Sequence, residues 1–185
     1  VTINDDLRVG LGSRLGGFES AAQERTAARD RQPHDVQLTG ICVDPTIATL
    51  PYLQNFDAVT APALPVQWTT IINGTAGVIV SSTSNPQTPP NSIVINNNSD
   101  PTAQLLLVAP PYANTIATNA TRAKFHARSN NDGQALQVGI LTNPQDFGTF
   151  QLIQTLNLTS TWTEYVVTFG GYTGIGKTVA FQHGL

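Results

Sequence analysis

TRAKFHAR, residues 121–128, alternates without a break: Ala123, Phe125 and Ala127 fall on one side, and Arg122, Lys124, His126 and Arg128 on the other. A period of two marks a β-strand with one covered face and one solvated face. The same grammar continues on both sides of it. Candidate strands lie at 68–72, 77–82, 92–97, 103–108, 135–142, 149–156, 162–169 and 178–183, and the turn-forming runs SNPQTPPN, NNNSDP, NNDG and TNPQDFG separate some of them. No helical period is sustained beyond Trp68. Short strands at this spacing predict an all-β sandwich.

Composition agrees. The 24 threonines, 14 asparagines, 15 glycines and 12 prolines favour strands and turns, and only 11% of residues are charged, so the surface is mostly neutral and polar. A chain with about 150 residues in one domain buries roughly 70% of its unfolded surface, enough for a real core. The net charge of −3 gives no reason to expect nucleic acid as a partner. No run approaches the ~18 apolar residues of a membrane span. The single cysteine, Cys42, rules out a disulfide within the chain and reads as a small buried hydrophobe, with a reactive thiol as the other reading. Methionine is absent altogether, and the chain is expected to be a processed product or an excised piece.

Charge divides the chain. Residues 1–35 carry 11 of the 21 charged side chains, leaving 10 for the following 150. The expected organisation is a strand at 1–9, a charged, glycine-hinged linker with a short helix within Phe18–Arg31 at 10–40, and the sandwich at 41–185. Between linker and sandwich runs LPYLQNFDAVTAPALPVQW, residues 50–68. Tyr52, Gln54 and Phe56 alternate with Leu53, Asn55 and Asp57, which predicts an edge strand opened by Pro51. Pro62 and Pro65 then hold the chain extended up to Trp68.

The ordered set LPYLQNFD, PALPVQW, QALQVGILTNPQDFGTFQLIQTL, TWTEYVVTFGGYTG and VAFQH resembles the jelly-roll ectodomains of secreted bacterial surface proteins. These are the MAM-like or choice-of-anchor J modules, which include the cleaved-adhesin domains of gingipain-type proteases. The resemblance implies a two-sheet jelly-roll β-sandwich that adheres or displays rather than catalyses, at the bacterial cell surface. It also implies that Trp68 and Trp162 are core residues, and the candidates for stacking on a surface glycan are then Tyr112 and Tyr172. The rival reading is a carbohydrate-binding module of a secreted bacterial hydrolase. In the resembling modules a last strand of the form aliphatic-Asp-Asp-aliphatic follows the VAFQH strand, and carboxylates there and at the position of Asp57 commonly share a calcium. Here that pattern stands at the other end, as VTINDDLRV, with Val1, Ile3, Leu7 and Val9 on one face and Asp5 among them. Asp5, Asp6 and Asp57 are therefore the candidate calcium ligands, since hard oxygen donors suit that ion. Read cyclically, VAFQHGL followed by VTINDDLRV restores the last two strands. The first strand is expected to fold back within its chain, to be donated to a neighbouring copy in a head-to-tail homopolymer, or to serve the next repeat of a tandem chain.

Two further features bear on function. The row Arg122, Lys124, His126 and Arg128 is the only concentration of positive charge in the sandwich, either a solvated face or a dock for an acidic partner. GYTGIGKT, residues 171–178, satisfies the phosphate-binding loop pattern, but only VAFQHGL follows, which alternates as a strand and leaves no room for the helix that the pattern needs. His34, His126 and His183 are scattered along the chain, and no serine sits in a GxSxG elbow, so no catalytic set is assigned. Carboxylate pairs for glycoside hydrolysis are likewise lacking in the sandwich.

Overall fold

The computed structural model describes residues 50–114, 116 and 121–183. Among the described residues lie nine strands: β1 (Thr69–Asn73), β2 (Val78–Ser82), β3 (Ser92–Asn96), β4 (Gln104–Val108), β5 (Arg122–Ala127), β6 (Gln134–Leu141), β7 (Phe150–Leu158), β8 (Thr163–Thr168) and β9 (Thr178–His183). Each falls on one of the stretches expected from 68 onward. A 3-10 turn at Phe147–Thr149 enters β7, with the Asp146 carboxylate accepting the Gly148 N–H at 2.8 Å. Expectations that fall on residues 1–49, including the strand at 1–9 and the linker, lie outside the described residues.

Residues 50–57 do not form the expected edge strand. Local side-chain bonds win over a ladder there. The Gln54 Oε1 accepts the Phe56 N–H at 2.8 Å, and Phe56 turns to a φ of 60°. That turn drives the Phe56 ring inward, fully buried and edge-on to Trp68 at 5.4 Å between centroids. Asn91, just before β3, clamps the segment by donating to the Phe56 and Val59 carbonyls at 3.2 and 2.8 Å. The Trp68 Nε1–H donates to the Tyr52 hydroxyl at 2.9 Å. The stretch is thus an aromatic plug at one end of the sandwich.

One layer is a five-stranded antiparallel sheet in the order β1-β4-β9-β6-β7. The other layer consists of two ribbons, β2-β3 and β5-β8. The layers meet through inward side chains that alternate along each strand. Ile93 and Ile95 of β3, Leu105 and Leu107 of β4, Phe125 of β5, Val138 and Ile140 of β6 and Phe181 of β9 are all at most 1% exposed. Phe125 meets Phe181 edge-on at 5.1 Å, joining the two layers. Burying each such side chain is worth about 1.5–3 kcal/mol.

β9 is buried on both faces along its whole length. Its outer face belongs to a second apolar cluster, Leu106, Val108, Leu141 and Ala180, over which Ile71, Phe147 and Phe150 pack. Gly139 makes that cover fit. A Cβ there would come within 2.5 Å of the Phe150 ring and 2.4 Å of the Gln151 carbonyl, at the irregularity where the β6–β7 register shifts. Trp68 is a core residue as expected. Trp162 is only half-buried, because it precedes β8 on the opposite parity from Tyr165, Val167 and Phe169, the residues that face inward.

Candidate functional site

The loop tyrosines are not a sugar platform. Tyr112 and Tyr172 are 4% and 5% exposed, so neither ring offers a face for a sugar to stack on. Main-chain bonds draw both into the end of the sandwich: the Tyr112 N–H donates to the Lys177 carbonyl at 2.8 Å, and the Tyr172 N–H to the Phe169 carbonyl at 2.9 Å. Burial pushes the Tyr112 phenol well above its ordinary value, with the nearby Tyr52 a smaller cause. The Tyr172 hydroxyl accepts the Gly176 N–H at 2.8 Å. A Cβ on Gly176 would stand 2.5 Å from the Ile140 side chain, so this glycine serves close packing rather than a phosphate. The segment 170–177 carries the chain from one layer to the other, and β9 follows it directly. Lys177 is exposed and donates to the Ala113 carbonyl at 3.2 Å.

The basic row stands on the outer face of the β5-β8 ribbon as its alternation predicts, with Ala123, Phe125 and Ala127 inside. Strand β8 brings Glu164 opposite His126, and the Glu164 carboxylate pairs diagonally with the Lys124 ammonium at 2.9 Å. Arg128 donates to the Ser160 carbonyl at 3.1 Å, and Arg122 is exposed at the far end of the row.

Asp57 lies exposed in the plug, its carboxylate accepting from the Asn55 amide. Asp5 and Asp6 fall outside the described residues, and among the described residues no three His, Cys, Asp or Glu side chains cluster as a metal site. Two other carboxylates do structural work that sequence reasoning missed. Asp100 accepts from the N–H and hydroxyl of both Thr75 and Thr102, at 2.7–3.0 Å, tying the β1–β2 turn to the β3–β4 turn. The Thr102 hydroxyl first, then the Thr102 and Thr75 amides, hold it well below the usual carboxylate range. Asp132 is likewise lowered, by the Ser160 N–H. The run NSDPT, an Asp followed two residues later by a threonine, is the signal that could have revealed the first of these.

The remaining candidate is the division of the second layer. β3 ends where β4 begins, across a turn closed by the Asp100 N–H on the Asn97 carbonyl and the Ala103 N–H on the Asp100 carbonyl. β5 ends beside the end of β7, where the Ser129 N–H donates to the Thr159 carbonyl at 2.9 Å. Across the five-stranded sheet β4 and β7 run in opposite directions, so the start of β4 and the end of β7 share one end of the sandwich. β3 and β5 therefore run the same way. β8 lies beside β7, the last strand of the five-stranded order, and the far edge of β2 is met by the Pro62 carbonyl. The edges of β3 and β5 that are left face each other across the middle of the layer, and no strand among the described residues joins them.

No family model matches the chain, and no curated protein matches it. Among solved structures it is similar to the K2 cleaved adhesin domain of Lys-gingipain, at 17% identity and a TM-score of 0.49, over 69% of this chain and 84% of that one.

Proposed function

We propose that the chain is a non-catalytic adhesion or assembly module of the bacterial cell surface, and that copies join when the strand at residues 1–9 of one completes the divided layer of the next. The division of that layer is the observation that carries the reading. Two strands running the same way, each paired on one side only among the described residues, leave room for one more strand antiparallel to both. An unfilled position of this kind exposes main-chain donors and acceptors along two edges, which natural sheets avoid. VTINDDLRV supplies apolar residues at four of its five odd positions, Val1, Ile3, Leu7 and Val9, with Asp5 between them, and at ~3.3 Å per residue it is longer than either flanking strand. The linker that follows is long enough for the strand to serve its own chain or another, and one-way donation from each copy to the next builds an open, head-to-tail assembly where the rotation does not close.

Size-exclusion chromatography with light scattering tests this directly. The full chain forms concentration-dependent assemblies, whereas a chain lacking residues 1–9 forms none, melts lower, and regains its melting temperature with the peptide VTINDDLRV. A truncated chain that stays as stable and associates as before overturns the proposal. The calcium expected between Asp57 and the Asp5–Asp6 pair requires the strand to lie beside the plug instead, where the exposed Asp57 carboxylate stands, and is the rival placement. In that placement assembled chains take up calcium in isothermal titration and melt higher with it; no heat and no shift remove it. Glycan binding has lost its aromatic support, and a blank glycan array beside intact self-association is the expected result.

A further inference from the structure

The two ribbons aim particular main-chain groups at each other. In an antiparallel pair the N–H and C=O of one residue share an edge, and successive residues alternate edges. On β2 the Ser81 N–H points away from β3, to the Pro62 carbonyl at 3.3 Å. Ser81 stands opposite Ile93, and Ile79 opposite Ile95, so Ile93 and Ile95 turn their own main-chain groups away from β2. On the other ribbon the Phe169 N–H donates to the Thr121 carbonyl at 3.0 Å. Thr121 therefore bonds toward β8, as do Ala123, Phe125 and Ala127 by alternation, while Arg122, Lys124 and His126 turn their groups away from it.

We infer that residues 1–9 of a second copy enter this position antiparallel to both β3 and β5, bonding to Ile93 and Ile95 on one side and to Arg122, Lys124 and His126 on the other, with Asp6 set against the basic row. This rests on the strand-addition reading above and gives it a direction, a register parity and a charge partner. Directly opposed residues of an antiparallel pair share a face. Whatever stands opposite Ile93 and Ile95 turns its side chain into the core, and whatever stands opposite Arg122, Lys124 and His126 turns it outward. Val1, Ile3, Leu7 and Val9 suit the first set, with Asp5 falling among them. Thr2, Asn4, Asp6 and Arg8 form the second, which places the Asp6 carboxylate among cations on a face where Glu164 already pairs with Lys124 from the opposite side. The row is then a recognition feature for the Asp6 carboxylate of the incoming strand. Both flanking strands end at the end of the sandwich where β9 also ends, so the incoming strand begins there, with its Val1 beside the acceptor's His183.

Paramagnetic labelling of the full chain tests the direction. Chains carrying Cys42→Ser with Val1→Cys or Val9→Cys bear a nitroxide and are mixed with isotope-labelled, unmodified chains. The label at position 1 is expected to broaden the amide signals of Asn96 and Ala127, and the label at position 9 those of Ser92 and Arg122. The reverse pattern overturns the direction while leaving strand addition standing; broadening of neither strand in the mixture overturns both. The charge partner has its own arm. Asp6→Arg weakens assembly about fivefold, and Arg122→Asp in the same chain recovers it. Weakening without recovery overturns the role given to the basic row.

Discussion

In the five-stranded layer β4, β9 and β6 each have a hydrogen-bonded neighbour on both sides, whereas in the facing layer every strand has, among the described residues, a neighbour on one side only. Both layers contribute inward residues to the same core, and Ile93, Phe125 and Phe181 are equally buried. What separates the layers is main-chain pairing, not hydrophobicity. Side-chain burial is non-directional and is satisfied by any covered face, while ladders demand a partner edge at a fixed spacing. A layer can therefore be well packed while some of its main-chain edges have no partner strand among the described residues.

The comparison breaks most readily at its shared core. Phe181→Ala, at the centre of the continuous layer and against Phe125 of the divided one, is expected to cost about 3–5 kcal/mol in urea unfolding. A loss much below that would mean that the continuous layer is not the stable half. Next comes the outer cover of the same layer: the Cβ of Gly139→Ala pushes against the Phe150 ring and the Gln151 carbonyl, at about 1–3 kcal/mol, and near- and far-ultraviolet circular dichroism should show one coincident unfolding transition. Asn91→Ala tests the plug beside the divided layer. It strips two carbonyls, those of Phe56 and Val59, of their donor and should cost about 1–2 kcal/mol, with faster hydrogen exchange at Trp68.

Acid sharpens the comparison at the opposite end, where Asp100 ties two turns. Its carboxyl is lowered in the folded chain, so the stability it contributes is complete above the ordinary carboxylate range near 4 and is lost as pH falls below that. Melting temperature should therefore drop on acidification less steeply in Asp100→Asn than in the unaltered chain, and parallel curves would remove Asp100 from the account. The smallest effect is expected at Lys124 and Glu164, a half-exposed pair worth at most about 1 kcal/mol. Replacing both leaves the melting temperature nearly unchanged at high salt.

Much of this was legible in the chain itself. The period of two in Arg122–Ala127 and Thr178–His183, and the turn residues between strands, are local signals that survive whatever the strands pair with. The stretch at 50–57 misled because its alternation is real, while Gln54 and Asn91 capture its main-chain groups and Phe56 is folded inward. Tyr112 and Tyr172 misled for a related reason: a loop aromatic reads as exposed until the neighbouring carbonyls of Lys177 and Phe169 hold its main chain in place and its ring is buried.

By itself, then, the sequence determined where strands begin and end, which side of each is apolar, and that no phosphate-binding helix follows the glycine-rich turn. These follow from side-chain alternation and turn chemistry, both of which act within a few residues. Only the tertiary structure decided which strands are neighbours, that β3 and β5 run the same way with one edge each unpaired among the described residues, and that the aromatic loops close the end of the sandwich. Those depend on how two apolar faces meet and on which main-chain edges are left over, and no local pattern carries that information.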